Sequence, residues 1–171
     1  MLAPVKVAVL SDVHGNLQAL EAVLDHVRGR VAETWCLGDV VGYGARPNEC
    51  AALVWEACTT VLAGNHDLAA AGRVQIDVFT RDAARAIRWT REVLRPEVES
   101  WLRTLAPDTS RGDVRLVHGS PRDPVWEYVI DPASAEAALA TATEQLVLCG
   151  HTHRPIAAWI AEGRLHGDRA A

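Results

Sequence analysis

Lysine is almost absent from this 171-residue chain: Lys6 stands alone, and arginine supplies the remaining positive charge. That imbalance carries no functional reading, but other absences do. The four cysteines, Cys36, Cys50, Cys58 and Cys149, show no CxxC spacing. Each lies in or beside an apolar segment, so they read as reduced core thiols, and a cytoplasmic location is the expectation. No apolar run approaches the ~20 residues that a membrane-spanning helix needs. No charged segment followed by an apolar stretch opens the chain, so no secretory signal is expected. Positive charge is not in excess either. The net charge of -5 argues against a surface that coats nucleic acid, which needs clustered positive charge. A locally positive site remains compatible with it, because bound metals carry their own charge. Internal repeats, low-complexity stretches and linkers are all missing, which leaves a single domain of 171 residues.

What is present is ordinary in bulk and unusual in pattern. Hydrophobic residues make up 49% and charged residues 23%, as in a globular protein. Apolar, β-branched runs predict strands over 5–10, 34–37, 60–63, 114–117 and 146–149, with a sixth over 155–160 that turns at Glu162-Gly163 into Arg164-Leu165-His166. Helical spacing predicts helices from Leu17 to a stop at Gly29, from about Asn48 to Ala57, over Thr80 to Leu94, after Pro96, and over Ala133 to Ala142. No strand signal falls between Leu68 and Pro107. The order is that of an α/β protein. The five internal strands each end in glycine with Asp, Asn or His: Asp12-Val13-His14-Gly15, Gly38-Asp39, Gly64-Asn65-His66-Asp67, His118-Gly119 and Gly150-His151-Thr152-His153. In open α/β sheets ligands bind beyond the carboxyl ends of the strands, and scattered turn caps would not fall there five times.

The candidate ligands are Asp12, His14, Asp39, Asn65, His118, His151 and His153. They are too many for one zinc ion, which takes four ligands, and they suit two ions that share a carboxylate. The mixture of carboxylate, amide oxygen and imidazole favours Mn²⁺, Fe, Zn²⁺, Co²⁺ or Ni²⁺ over Ca²⁺. Two divalent ions, two aspartates and a bridging hydroxide leave a positive site that would attract a phosphoryl group. Two metals about 3.5–4 Å apart can clamp phosphoryl oxygens and acidify water.

These residues, in this order, resemble the signature of calcineurin-like metallophosphoesterases. Ser11-Asp12-Val13-His14-Gly15-Asn16-Leu17, Gly38-Asp39-Val40-Val41-Gly42-Tyr43-Gly44 and His118-Gly119-Ser120-Pro121-Arg122-Asp123-Pro124 are similar to its small bacterial phosphodiesterase-like branch. The resemblance covers roughly residues 5–160. It implies a four-layer α/β/β/α fold, a two-sheet β-sandwich flanked by helices. It also implies one metal held by Asp12, His14, Asp39 and His153, and a second held by Asp39 as bridge with Asn65, His118 and His151. Mn²⁺ is the favoured cofactor. His66 would contact the substrate and stabilise the transition state or protonate the leaving oxygen, and the metal-bridged hydroxide would attack phosphorus. The implied activity is a metal-dependent phosphodiesterase acting on small phosphodiesters or nucleotides. A phosphomonoesterase, a nuclease and a non-catalytic metal-binding scaffold are the alternatives.

Two departures from the family pattern matter. The protein Ser/Thr phosphatase branch carries a second aspartate and an arginine after Gly-Asp, whereas this chain has Val40-Val41-Gly42-Tyr43-Gly44. The carboxylate that would orient His66 is missing there, and Asp67 is the candidate substitute. Relatives also continue well past the last His pair, so the C-terminal end is shorter than usual. A second copy of the chain covering that sheet edge is the expected form of partner.

Other residues keep two readings. Asn16 reads as a helix N-cap, with phosphate contact as the alternative. Arg122 could reach a phosphate or fix its loop. Trp126 and Tyr128 could stack on a nucleobase or pack locally. Arg81, Arg85 and Arg88 read as a solvated stripe, Trp89, Trp101 and Leu105 as core, and His26 and His166 as surface or structural.

Overall fold

The computed structural model describes residues 5–168. Along the chain run β1 (Val7–Leu10), α1 (Leu17–Val27), β2 (Glu33–Cys36), α2 (Pro47–Ala57), β3 (Thr60–Val61), α3 (Asn65–Ala70), α4 (Arg81–Val93) and α5 (Pro96–Thr104). Then come β4 (Asp108–Arg111), β5 (Val114–Val117), α6 (Pro132–Thr141), β6 (Leu146–Cys149), β7 (Ala157–Ala161) and β8 (Arg164–Asp168). The strands form two three-stranded sheets, β1-β2-β3 and β4-β5-β6, and a β7-β8 hairpin. The first sheet is parallel throughout, and α1 and α2 supply its crossovers.

The pleat assigns each strand residue to one of two cores. Trp35 and Leu37 face the second sheet and pack with Leu62, Leu116, Val114 and Leu148. Cys36, between them in sequence, faces the helices and joins Leu17, Leu20, Val54, Val98 and Leu102. Successive side chains on a strand point to opposite faces, so short apolar strands without alternation serve both cores at once. With Ala135 and Ala138 of α6 buried over the second sheet, the layers run helix, sheet, sheet, helix, as expected.

Two elements lacked a sequence signal. β4 reads Asp-Thr-Ser-Arg, with no apolar run, and its pairing with β5 comes from the backbone. α3 is one and a half turns built on Asn, His and Asp, which are poor helix formers. Tertiary burial of every residue in it overrides that propensity. Other boundaries shift by a residue or two: α2 starts at Pro47, where a missing N–H costs nothing, and Arg164-Leu165-His166 pairs as β8. Trp89 is 38% exposed and not core. Trp101 is half-buried and stacks on the exposed Trp55 at 5.3 Å. All four cysteines are free; Cys36 and Cys50 are buried, Cys58 is half-buried, and Cys149 is exposed. No helix among the described residues is long and apolar enough to cross a membrane.

Leu116 is fully buried at the centre of the inter-sheet core. Leu116→Ala should therefore lower unfolding free energy by about 2–5 kcal/mol. Urea denaturation followed by circular dichroism measures it, and an unchanged midpoint would contradict this placement of the core.

Candidate metal centre

Beyond the strand ends the parallel ladder continues as loop. Asp12 N donates to Gly38 O, His14 N to Asp39 O, and Gly15 N to Val40 O, at 2.8–3.0 Å. This zip places the Asp12-His14 loop beside Asp39. The second sheet is tied in by the Asp12 carboxylate, which accepts the His151 N–H at 3.1–3.2 Å. The His118 carbonyl accepts the Gly150 N–H at 3.0 Å. The glycines flanking the ligands give clearance: a Cβ on Gly64 would lie 2.0 Å from Asp39 Oδ1, and one on Gly150 1.9 Å from Ser11 Oγ.

The result is three overlapping groups of donors: Asp12, His14 and His153; His14, Asp39 and His66; and Asp39, His118 and His151. Within each group the donor atoms lie within 4.8 Å of one another. Asn65 joins the third, its Oδ1 being 3.2 Å from His118 Nε2. Every expected ligand, and His66, is thus brought to one place. Asn16 caps α1, its Oδ1 accepting the Ala19 N–H at 3.2 Å, and it also borders a groove of about 670 Å³ beside His14 and His153. Arg122 does not join the cluster. Its guanidinium pairs with Glu127, which also accepts the Ser120 hydroxyl, so its observed role is to tie its own loop.

The donor set fits divalent cations on geometric grounds. His118 Nδ1 donates to Leu37 O at 2.9 Å, which turns Nε2 toward Asn65 Oδ1 and Asp39 Oδ2. His14 Nδ1 donates to Val41 O at 3.2 Å, and its Nε2 faces His153 Nε2 at 3.1 Å. Acceptors that converge on one point need a proton or a cation between them. The buried Nε2 of His151 has no hydrogen-bond partner among the described residues.

The electrostatics follow the same geometry. Burial disfavours the charged form of Asp39, but His118, His14 and His66 more than offset it, and its carboxyl is held well below the usual range. Burial is the largest single effect on His118 and opposes its charge, yet the Asp39 carboxylate together with Asp12 and the Leu37 carbonyl outweighs it and holds the imidazole up to about 9. For His66 burial outweighs the pull of the Asp39 carboxylate, and the neighbouring imidazoles act in the same direction as burial, so the ring is pushed down to about 4. Burial lowers His14 and His151 as well.

Asp67 does not orient His66. Its carboxylate accepts the N–H groups of Val40, Val41 and Gly64 at 3.0–3.1 Å and so pins the loop after β2 to the start of α3. His66 Nδ1 is buried without a hydrogen-bond partner among the described residues. Aromatic rings enclose it instead: Tyr43 at 4.5 Å, His14 at 4.8 Å and Phe79 at 5.2 Å between centroids. Phe79 carries no sequence signal for this role, because it comes from the irregular segment before α4. Asp12, His14, Asp39, Tyr43, His151 and His153 all have φ between 49° and 66°. Such backbone strain in non-glycine residues clusters at functional sites, and nothing in the composition announces it.

The model of the calcineurin-like phosphoesterase superfamily domain matches residues 5–166. An uncharacterized protein of Methanocaldococcus jannaschii is 37% identical over 155 residues, covering 87% of this chain and 63% of that protein. A metallophosphoesterase from Sphaerobacter thermophilus is 42% identical with a TM-score of 0.79, covering 89% of this chain and 62% of that one. A hypothetical protein from Pyrococcus horikoshii OT3 shares the fold at a TM-score of 0.72 and 18% identity, covering 97% of this chain and 88% of that one. The chain therefore spans less than two thirds of the length of its first two relatives.

Asp67 is fully buried and ties two loops of the site together. Asp67→Ala should cost about 2–4 kcal/mol, because three backbone N–H groups lose their acceptor. Chemical denaturation checks this, and a wild-type midpoint would show that the loops hold without it.

Proposed function

The chain belongs to the calcineurin-like phosphoesterase superfamily, and on that premise we propose that it is a binuclear, metal-dependent phosphoesterase preferring small phosphodiesters, nucleotide esters included. One observation carries the reading. Asp39 Oδ1 accepts the His66 N–H at 2.9 Å, while Oδ2 stands 3.5 Å from both His14 Nε2 and His118 Nε2. A single carboxylate oxygen thus faces two separate sets of donors, which is the position of a bridging ligand. In this reading Asp12, His14, Asp39 and His153 would hold one ion, and Asp39, Asn65, His118 and His151 would hold the other. Imidazole with oxygen donors suits Mn²⁺, the favoured ion, and also Fe, Zn²⁺, Co²⁺ or Ni²⁺. Divalent ions held there would polarise phosphoryl oxygens and lower the pKa of coordinated water.

The chain's own contribution is positioning and one proton donor. His66 is neutral at pH 7, because burial pushes it down to about 4. A neutral imidazole keeps a proton on one ring nitrogen and can donate it as a hydrogen bond to developing charge on the phosphoryl or leaving oxygen. Among the described residues no carboxylate hydrogen-bonds that ring, and this favours a diester reaction over the protein-phosphatase arrangement, in which one does. Asn16 and Arg122 are secondary candidates for substrate contact, Asn16 at the groove edge and Arg122 only if Glu127 releases it.

The test is hydrolysis of bis(4-nitrophenyl) phosphate with added Mn²⁺. Asp39→Asn and His66→Gln should each lower kcat by about 100-fold or more. Undiminished turnover in either variant would overturn the mechanism. Chelation should abolish activity and Mn²⁺ should restore it. In thermal unfolding, Mn²⁺ at 100 times its Kd should stabilise the wild type by about 2.7 kcal/mol. Asp39→Asn should lose most of that gain; equal stabilisation in the variant would remove Asp39 from the metal shell.

A further inference from the structure

Two tyrosines stand where coordination chemistry does not need them. Tyr43 meets His14 edge-on, with centroids 4.9 Å apart and planes at 72°, and it leans on His66 at 4.5 Å. Tyr128 lies flat on His151, with centroids 3.9 Å apart and planes at 20°. Both line the same cavity of about 270 Å³, along with Asp39, Asn65 and His153. Each remains 51% exposed. Tyr43 also borders the adjoining groove, which shares His14 and His153 with the cavity, so its ring stands where the two spaces meet.

Neither ring is core, and neither serves as a hydrogen-bonded prop for an imidazole. His14 is already fixed by the Val41 carbonyl. Tyr43 sits in the left-handed region at φ 51°, a conformation unfavourable for a bulky side chain, so its place at the rim is held against local preference. Trp126, by contrast, is spent on Phe79 at 5.2 Å behind His66. Tyr128, half-exposed and stacked on His151, is a platform of the kind that receives planar groups, and the half-exposed Tyr43 ring stands beside it on the same cavity.

Resting on the phosphoesterase reading, we infer that Tyr43 and Tyr128 form an aromatic rim that receives a planar ester group, so that the site selects aryl and nucleoside phosphoesters over alkyl ones. The phosphoryl group lies among the donors of the cavity, and its planar substituent leaves past the rim toward the groove.

Two phosphonates that cannot be hydrolysed test this without relying on turnover. Phenylphosphonate and methylphosphonate are titrated calorimetrically into the Mn²⁺-loaded protein, wild type and variants. The wild type should bind the phenyl compound about tenfold more tightly, and Tyr43→Leu or Tyr128→Leu should remove most of that ratio. Tyr43→Phe and Tyr128→Phe, which keep the ring, should retain it. If the leucine variants weaken both phosphonates equally, the rings only position the imidazoles and the inference is wrong. If the wild type binds both with equal affinity, the phosphoesterase reading stands and the aromatic selectivity falls. If the Mn²⁺-loaded wild type binds neither and hydrolyses no diester, both fail.

Discussion

A single carboxylate oxygen, Asp39 Oδ2, sits between two imidazole nitrogens at 3.5 Å, and much of the fold serves to keep it there. A buried anion is tolerated only when it is paired or hydrogen-bonded. Here the pairing comes from His14 on the β1 loop, His118 at the end of β5 and the His66 N–H on α3. Those three arrive from both sheets, so the carboxylate is also a joint between the layers. The room for it comes from Gly64, where any side chain would strike Oδ1.

The site is strained as well as charged. Five of its expected ligands adopt left-handed backbone conformations, each costing on the order of 1–3 kcal/mol when unsupported. The support is visible in the hydrogen bonds that zip residues 12–15 to residues 38–40 and in the three N–H groups gathered by Asp67. Two apolar cores, one on each face of the first sheet, hold the strands whose ends carry the strain. The apolar packing lies in the layers and the candidate metal centre at their common rim.

Around His66 the chain uses packing where a carboxylate could have stood. The ring is enclosed by Tyr43, His14 and Phe79, and Gly42 gives it room, since a Cβ there would lie 2.5 Å from Nδ1. Burial outweighs the nearby Asp39 carboxylate and pushes that imidazole down, and the same aromatic surroundings extend outward to the rim of the cavity. Tyr43 thus touches both the His66 ring and the cavity beside it.

The convergence of the candidate ligands on one place was legible in the sequence, because each follows an apolar strand at a glycine and strand ends converge in an α/β sheet. The same holds for β1, β2, β5, β6 and most helices, whose apolar spacing is set by burial. β4 was not legible, because a polar strand paired by its backbone leaves no pattern. α3 was not, because burial overrode poor propensity in Asn65-His66-Asp67. The direction of Asp67 toward Val40, Val41 and Gly64, the pairing of Arg122 with Glu127, and the partnership of Tyr43 with Tyr128 were decided only in three dimensions. Periodicity records which face of an element is buried. Which distant side chain meets which is settled by loop conformation and layer packing, and no local pattern encodes that.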